Sequence, residues 1–264
     1  MGLSEDFDDE PIALSSHALD ALKSFYADRD ALEAKFEDLL GEAERQEGSS
    51  GGRSKKTLSI ADFGEDWQES QFWYSDGTAR AVAESLLDGA DGGSVVAAVS
   101  APSVFVALKN MLAERGDGEP RPRLVLLEHD RRFAVFPEFV FYDCNQPLKL
   151  PDRLKGACDR IACDPPFLNE DCQTKEATTV QWLARPQPPD SPSPAARVVL
   201  CTGERMGELV TSRLYGSVGG LRTTTFQPEH ANKLSNEFCC YTNFECAAWD
   251  WRGDDDDDNA GTTA

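Results

Sequence analysis

A chain of 264 residues with 40% hydrophobic side chains can bury one sizeable core and carry extensions, and a formal charge of -21 leaves no Lys/Arg-dense stripe for a phosphate backbone. Nucleic acid is therefore disfavoured as a partner, and a basic protein is easier to accommodate. No apolar run reaches bilayer length, and the acidic opening "MGLSEDFDDEP" is neither a secretory signal nor a transit peptide nor, without Ser or Thr at its sixth position, a myristoylation site.

Residues 1–13 read as a disordered acidic segment. A helix is expected over 14–40, capped by Ser15 or Ser16, with Leu22, Phe25, Leu32, Phe36 and Leu39 at helical spacing. Residues 41–57, "GEAERQEGSSGGRSKKT", form a flexible linker by composition. The segment 58–250 is expected to hold one α/β domain. It opens with "LSIADFGEDWQESQFWYS" and a helix over 77–87, after which strands and helices alternate. Strands are predicted at 94–100, 123–130, 138–145, 159–164 and 197–203. Helices are predicted at 102–114, with Pro102 in the first turn, at 170–184 and at 204–216. A proline-rich loop fills 185–196, longer than such connections usually are. Two further strands, 221–228 and 236–245, lack an intervening helix and suggest an antiparallel pairing. Residues 251–264, with aspartate throughout 254–258, read as a disordered acidic tail. Continuous apolar strands alternating with helices predict a doubly wound, mostly parallel sheet covered on both faces.

Eight cysteines are present, none in a CxxC pair, and there are only three histidines, so no zinc site is expected. Several lie inside apolar runs such as "RIACD" and "VVLCTG". They read as free core thiols of a protein in a reducing compartment, the cytoplasm.

The chemistry is expected at the strand exits, where ligands bind in open α/β sheets. After the first strand comes "SAPS", Ser100, Ala101, Pro102 and Ser103, small residues that let a ligand approach helix N-terminal amides; an ordinary helix cap is the alternative. No GxGxxG fingerprint is present. Glu128 ends the second strand, where an acid can accept both ribose hydroxyls or simply face solvent. Asp143 follows the third strand and either meets an exocyclic amine or shapes a turn. The fourth strand ends in Asp164, Pro165, Pro166 and Phe167. Two prolines cannot continue a ladder, so this acid and aromatic stand on a stiff corner. Oxygens there can hold an amine N–H and aim its lone pair, with Phe167 as a wall offering its π face to a cation.

The tetrapeptide "DPPF" resembles the [DNS]PP[YFW] motif of amino-group methyltransferases. Together with "LSSHALDALKSFY", "WQESQFWYS", "VSAPSVFVAL", "LEHDRRF", "FVFYDCNQPLKLPDRL", "VVLCTGERM" and "FQPEHANKLSNEFCCYTNFE", the chain resembles the eukaryotic elongation factor 1-alpha lysine methyltransferases, a family earlier labelled N6-adenine DNA methyltransferases. The likeness runs from about residue 14 to 245. It departs at the glycine-rich linker, at the 186–196 loop, and at Phe167, where the family often has Tyr.

The resemblance implies a seven-stranded Rossmann-like class I methyltransferase fold with S-adenosylmethionine as cofactor and translation elongation factor 1-alpha as protein substrate. It implies cofactor contacts at Ser100, Ala101, Pro102, Ser103, Glu128 and Asp143. Asp164, Pro165, Pro166 and Phe167 would face the target amine, with no metal. Phe72, Trp73 and Tyr74 of "SQFWYS" would line the methionine end of the cofactor or belong to the core. His230, Asn232 and Asn236 are rim residues without an assigned role, a structural hydrogen bond being the default. Two other functions share the motif: N6-methylation of adenine in DNA or RNA, which needs base flipping and a basic face, and partner binding without catalysis.

Overall fold

The computed structural model describes residues 59–65, 71–116, 118–187, 196–232 and 237–253, all within the compact unit Gly52–Ala264. The acidic segment 1–13, the 14–40 helix, the 41–57 linker, Ser70, most of the proline-rich loop, Asn236 and the aspartate run lie outside the described residues.

Seven strands form one sheet: β1 (Val95–Val99), β2 (Arg123–Glu128), β3 (Phe139–Phe141), β4 (Arg160–Cys163), β5 (Arg197–Gly203), β6 (Arg222–Thr223) and β7 (Phe238–Thr242). Their order is β3-β2-β1-β4-β5-β7-β6, and only β7 runs against its neighbours. This is the doubly wound, mostly parallel arrangement expected.

The five residues of β1 are all buried, as its continuous Val/Ala run requires of a strand covered on both faces. Val95, Ala97 and Val99 share one core cluster with Ile161, Val198 and Leu200 and with Ala177, Val180 and Leu183 of α3 (Glu170–Leu183). By strand alternation Val96 and Ala98 face the opposite layer, where α1 (Asp76–Leu87) packs against α2 (Pro102–Glu114). Each large side chain buried here contributes about 1.5–3 kcal/mol before entropy is charged against it.

Caps set the helix starts. Ser75 accepts the Thr78 N–H at 3.2 Å and Asn169 accepts the Cys172 N–H at 2.9 Å.

Four expectations change, the first being that the strand expected at 138–145 keeps only Phe139–Phe141. The helix expected at 204–216 is irregular: a 3-10 turn Glu204–Met206, one α-turn Gly207–Leu209 and a π segment Val210–Leu214. Thr211 Oγ1 donates to the Gly207 carbonyl at 2.8 Å and Ser212 Oγ to that of Glu208, so hydroxyls compete for the ladder's acceptors. The sixth strand keeps only two of its expected eight residues, and after them Thr224 and Thr225 pair with Trp251 and Asp250. Ordered pairing also continues past residue 250, where the tail was expected to begin: Trp251 bridges Thr224, and the Arg252 N–H reaches the Thr223 carbonyl at 2.9 Å.

The chain leaves β1 toward β2 on one side, and β4 lies on the other. The crevice outside the carboxyl ends of β1 and β4 is thus the topological switch point.

Candidate active site

A cavity of about 940 Å³ opens at that switch point, at the upper end of the range for small-molecule sites. It gathers residues from four strand exits: Ser100, Pro102 and Ser103 after β1, Glu128 at the end of β2, Asp143 after β3, and Asp164, Pro165, Pro166 and Phe167 after β4. Phe72 and Trp73 form part of its wall. Eleven of the thirteen expected site residues therefore meet in one space.

The other two do not line it. Ala101 is 2% exposed, its methyl turned into the core. Tyr74 is buried behind the wall, because its backbone pairs with His230 and sends the ring inward. Its hydroxyl neighbours Asp164 and Cys201 but makes no hydrogen bond of good geometry among the described residues. Tyr74 stands in the core behind the Asp164 corner, the alternative placement expected for this block.

The helix that opens at "SAPS" is not capped by its serines. Ala101 is the N-cap and supplies no side-chain acceptor. Ser103 Oγ accepts the Tyr74 N–H at 3.2 Å, and Ser100 Oγ donates to Glu176 at 3.0 Å. The first-turn amides of α2 are left without a side-chain cap at the cavity wall, an arrangement that accepts a ligand's anionic group. The Trp73 indole N–H, also in the wall, is buried without a partner among the described residues.

Glu128 is 6% exposed. Burial lifts its carboxyl to about 7, although the Asp130 main-chain N–H, at 3.0 Å from Oε1, works the other way. Asp164 is enclosed by protein yet reaches the cavity. Burial raises it to about 8; Tyr74 opposes the rise and the Glu128 charge adds to it. Asp143 behaves as a turn residue: its carboxylate accepts the Asn145 N–H at 2.9 Å and Gln146 Nε2 at 3.1 Å. The Gln146 bond, chiefly, holds it below the usual carboxylate range.

The Asp164–Phe167 corner is pinned from outside. Gln173, fully buried on α3, donates Nε2 to the Phe167 carbonyl at 3.2 Å and to Thr202 Oγ1 at 2.9 Å. Arg205 donates to the Leu168 carbonyl at 2.9 Å. The Phe167 ring remains 44% exposed at the mouth.

The sequence over residues 65–246 matches the family model described as "Probable N6-adenine methyltransferase". The chain is 43% identical over 242 residues to the protein-lysine N-methyltransferase EFM5 of Saccharomyces cerevisiae, an alignment covering 89% of this chain and 93% of that protein. It is 37% identical to EEF1A lysine methyltransferase 1 of Mus musculus, covering 92% and 97%, and 36% identical to that of Homo sapiens, covering 90% and 94%. The chain belongs to the EEF1A lysine methyltransferase 1 family of protein-lysine N-methyltransferases.

Residues near the C-terminus, His230 and Phe238, also line this cavity. His230 lines the cavity, stacks near Tyr74 at 4.8 Å and meets Phe238 at 4.5 Å. Burial lowers it to about 4, so it stands neutral at physiological pH. Asn232 has the structural role held as its default: it donates to Glu65 Oε2 at 2.6 Å while Glu65 Oε1 accepts the Trp73 N–H at 2.9 Å. That carboxylate staples the 71–75 segment to 229–232, and the Ser75 and Ala231 N–H groups complete the pairing at 2.8 Å each. Cys144 departs from the core-thiol expectation: it is half-buried and lines the cavity.

Proposed function

We propose that this chain transfers methyl groups from S-adenosylmethionine to a lysine of translation elongation factor 1-alpha, in the cytoplasm. The observation that carries the reading is Asp164, held on a proline corner in the same cavity as Ser100, Ser103 and Glu128. The relatives' activities support the lysine substrate. Eight free thiols, six of them buried, support the reducing compartment.

The residues present fit the cofactor. Glu128 would accept the ribose hydroxyls, and the uncapped α2 start with Ser103 would hold the anionic end. Phe72 and Trp73 would close one wall. Bound there, S-adenosylmethionine supplies a methyl group already activated on sulfonium. The chain's own task is alignment and proton handling. Asp164 in its ionised form captures the lysine ammonium and takes up its proton; its carbonyl oxygen then orients the neutral amine, with the Pro165 or Pro166 carbonyl accepting a second N–H. Phe167 and the neutral His230 line the aliphatic approach without repelling a cation.

The family model's description favours adenine as the second reading; the -21 charge weighs against it. Radiolabelled transfer with elongation factor 1-alpha and an oligonucleotide offered side by side decides between them. Label on the protein, lost in Asp164→Ala, is expected; label on the oligonucleotide alone overturns the proposal.

A further inference from the structure

Glu176 sits on α3 with no exposed surface, among Val99, Cys163, Ala177 and Val180, and is the one buried acid of that helix. A carboxyl in such a place is costly unless it is well bonded. Two bonds hold it. Its Oε1 accepts from Ser100 Oγ at 3.0 Å and its Oε2 from Cys163 Sγ at 3.5 Å. Ser100 is the residue after β1, and Cys163 immediately precedes Asp164. One buried side chain thus grips both strand exits that flank the crevice.

Ser100 also has φ +52°, the one non-glycine residue with positive φ among the described residues. That left-handed conformation is unfavourable for an L side chain. Here it turns the chain sharply from β1 into α2 and presents the uncapped first turn to the cavity. The Ser100 N–H is already committed to the Leu127 carbonyl at 2.9 Å, so its amide continues the β1–β2 ladder while its side chain is held from the opposite layer. Among the described residues, the Glu176 bond is the only side-chain hydrogen bond at Ser100.

We propose that Glu176 is a positioning residue for cofactor binding: by holding the Ser100 hydroxyl it keeps Ser100 in its left-handed turn and so aims the free first-turn amides of α2 that follow Pro102, Ser103's first, toward the cavity. The inference rests on the reading of this cavity as the S-adenosylmethionine site. Burial lifts the Glu176 carboxyl to about 8, with the Ser100 bond opposing the rise, so at neutral pH it is mostly uncharged. A neutral amide of the same shape can therefore replace it, whereas an apolar side chain cannot.

Four variants test the idea: Glu176→Leu, Glu176→Gln, Ser100→Ala, and Glu176→Leu combined with Ser100→Gly. Calorimetric S-adenosylmethionine affinity, kcat, KM for the cofactor and melting temperature are measured for each. Glu176→Leu is expected to weaken cofactor binding on the order of tenfold, the scale of one buried hydrogen bond, raising KM with kcat little changed at saturation. Ser100→Ala, which breaks the same bond without touching the core, weakens it in the same direction and serves if the Leu variant does not fold. Glu176→Gln stays within about threefold of wild type. Adding Ser100→Gly to Glu176→Leu recovers most of the lost affinity, because glycine adopts positive φ without strain. A merely structural carboxyl would change the melting temperature without this rescue. Wild-type affinity in folded Glu176→Leu or in Ser100→Ala, or an affinity loss that the added Ser100→Gly change does not relieve, overturns the inference. Failure of the wild-type protein to bind S-adenosylmethionine overturns the functional reading first and this inference with it.

Discussion

Cofactor affinity should follow the ionisation of Glu128. Only the carboxylate accepts hydrogen bonds freely at both oxygens, and burial places its midpoint at about 7. Roughly one Glu128 in eleven is then ionised at pH 6 and ten in eleven at pH 8. Binding that requires the carboxylate strengthens on the order of tenfold across that interval, about 1.4 kcal/mol. At the acid end close to one proton leaves the protein for each cofactor bound. Titration calorimetry with S-adenosylmethionine at pH 6, 7 and 8, in buffers of different ionisation enthalpy, reads both the affinity and the proton. Asp164, raised to about 8 in the same cavity, adds attraction for the sulfonium toward pH 9, so the titration is repeated in Asp164→Asn. Glu128→Gln binds weakly at every pH and loses the slope. A wild-type affinity that is flat from pH 6 to 8, or a slope that survives in Glu128→Gln, refutes the reasoning.

Three further outcomes are expected. Asp164→Asn keeps the fold and cofactor binding but lowers lysine methylation by about 10²–10⁴-fold, and part of the loss returns near pH 10, where the lysine arrives neutral; near-wild-type turnover at pH 7.5 would remove Asp164 from the mechanism. The cofactor-free protein should melt at a lower temperature at pH 8.5 than at pH 6.5. Glu128 at about 7 and Asp164 and Glu176 at about 8 are raised, so the native state keeps protons that the unfolded chain has released, and stability is lost as pH rises through those values; a higher melting temperature at pH 8.5 contradicts this sign. Gly207→Ala gains up to about 1 kcal/mol of helix propensity, but its Cβ would lie 2.9 Å from the hydroxyl of buried Tyr241. Overpacking of about 1–3 kcal/mol outweighs the gain, and urea unfolding should show net destabilisation.

What the sequence revealed was whatever local pattern controls. Apolar runs between turn residues marked β1, β2, β4 and β5 within a residue or two, and Pro102 marked a helix start. Parallel order then brings the exits together, so Ser100 and Asp164, far apart along the chain, were placed in one site by topology alone. The pairing of 73–75 with 229–231 was not legible, because no local signal links segments so distant in sequence, and it is this pairing that puts Tyr74 in the core, the second of its two expected places. Glu176 was missed because an acid amid "TKEATT" reads as a solvent-facing helix position. Only the packed α3 face shows that it points inward.

The site also bears on why a lysine needs more from this cavity than an adenine does. An adenine amine arrives uncharged, whereas a lysine must first surrender a proton held with a pKa of roughly 10.4. Passing it to an ordinary carboxylate, 3.8, spans more than six pH units, about 9 kcal/mol; passing it to Asp164 at about 8 spans little more than two, about 3 kcal/mol. Burial and the nearby Glu128 charge, which raise Asp164, would therefore turn a poor proton acceptor into a better one in the fraction that is ionised, roughly one in eleven at pH 7. The arriving ammonium pulls that value down again, and the cofactor's positive charge pushes the lysine's own value down as well. Both cations lower Asp164, so what favours the transfer is the sulfonium's lowering of the lysine's own value. That condition ties deprotonation of the amine to occupancy of the cofactor cavity. On the proposed reading the acid belongs in the same space as Ser103 and Glu128, which line the cavity with it.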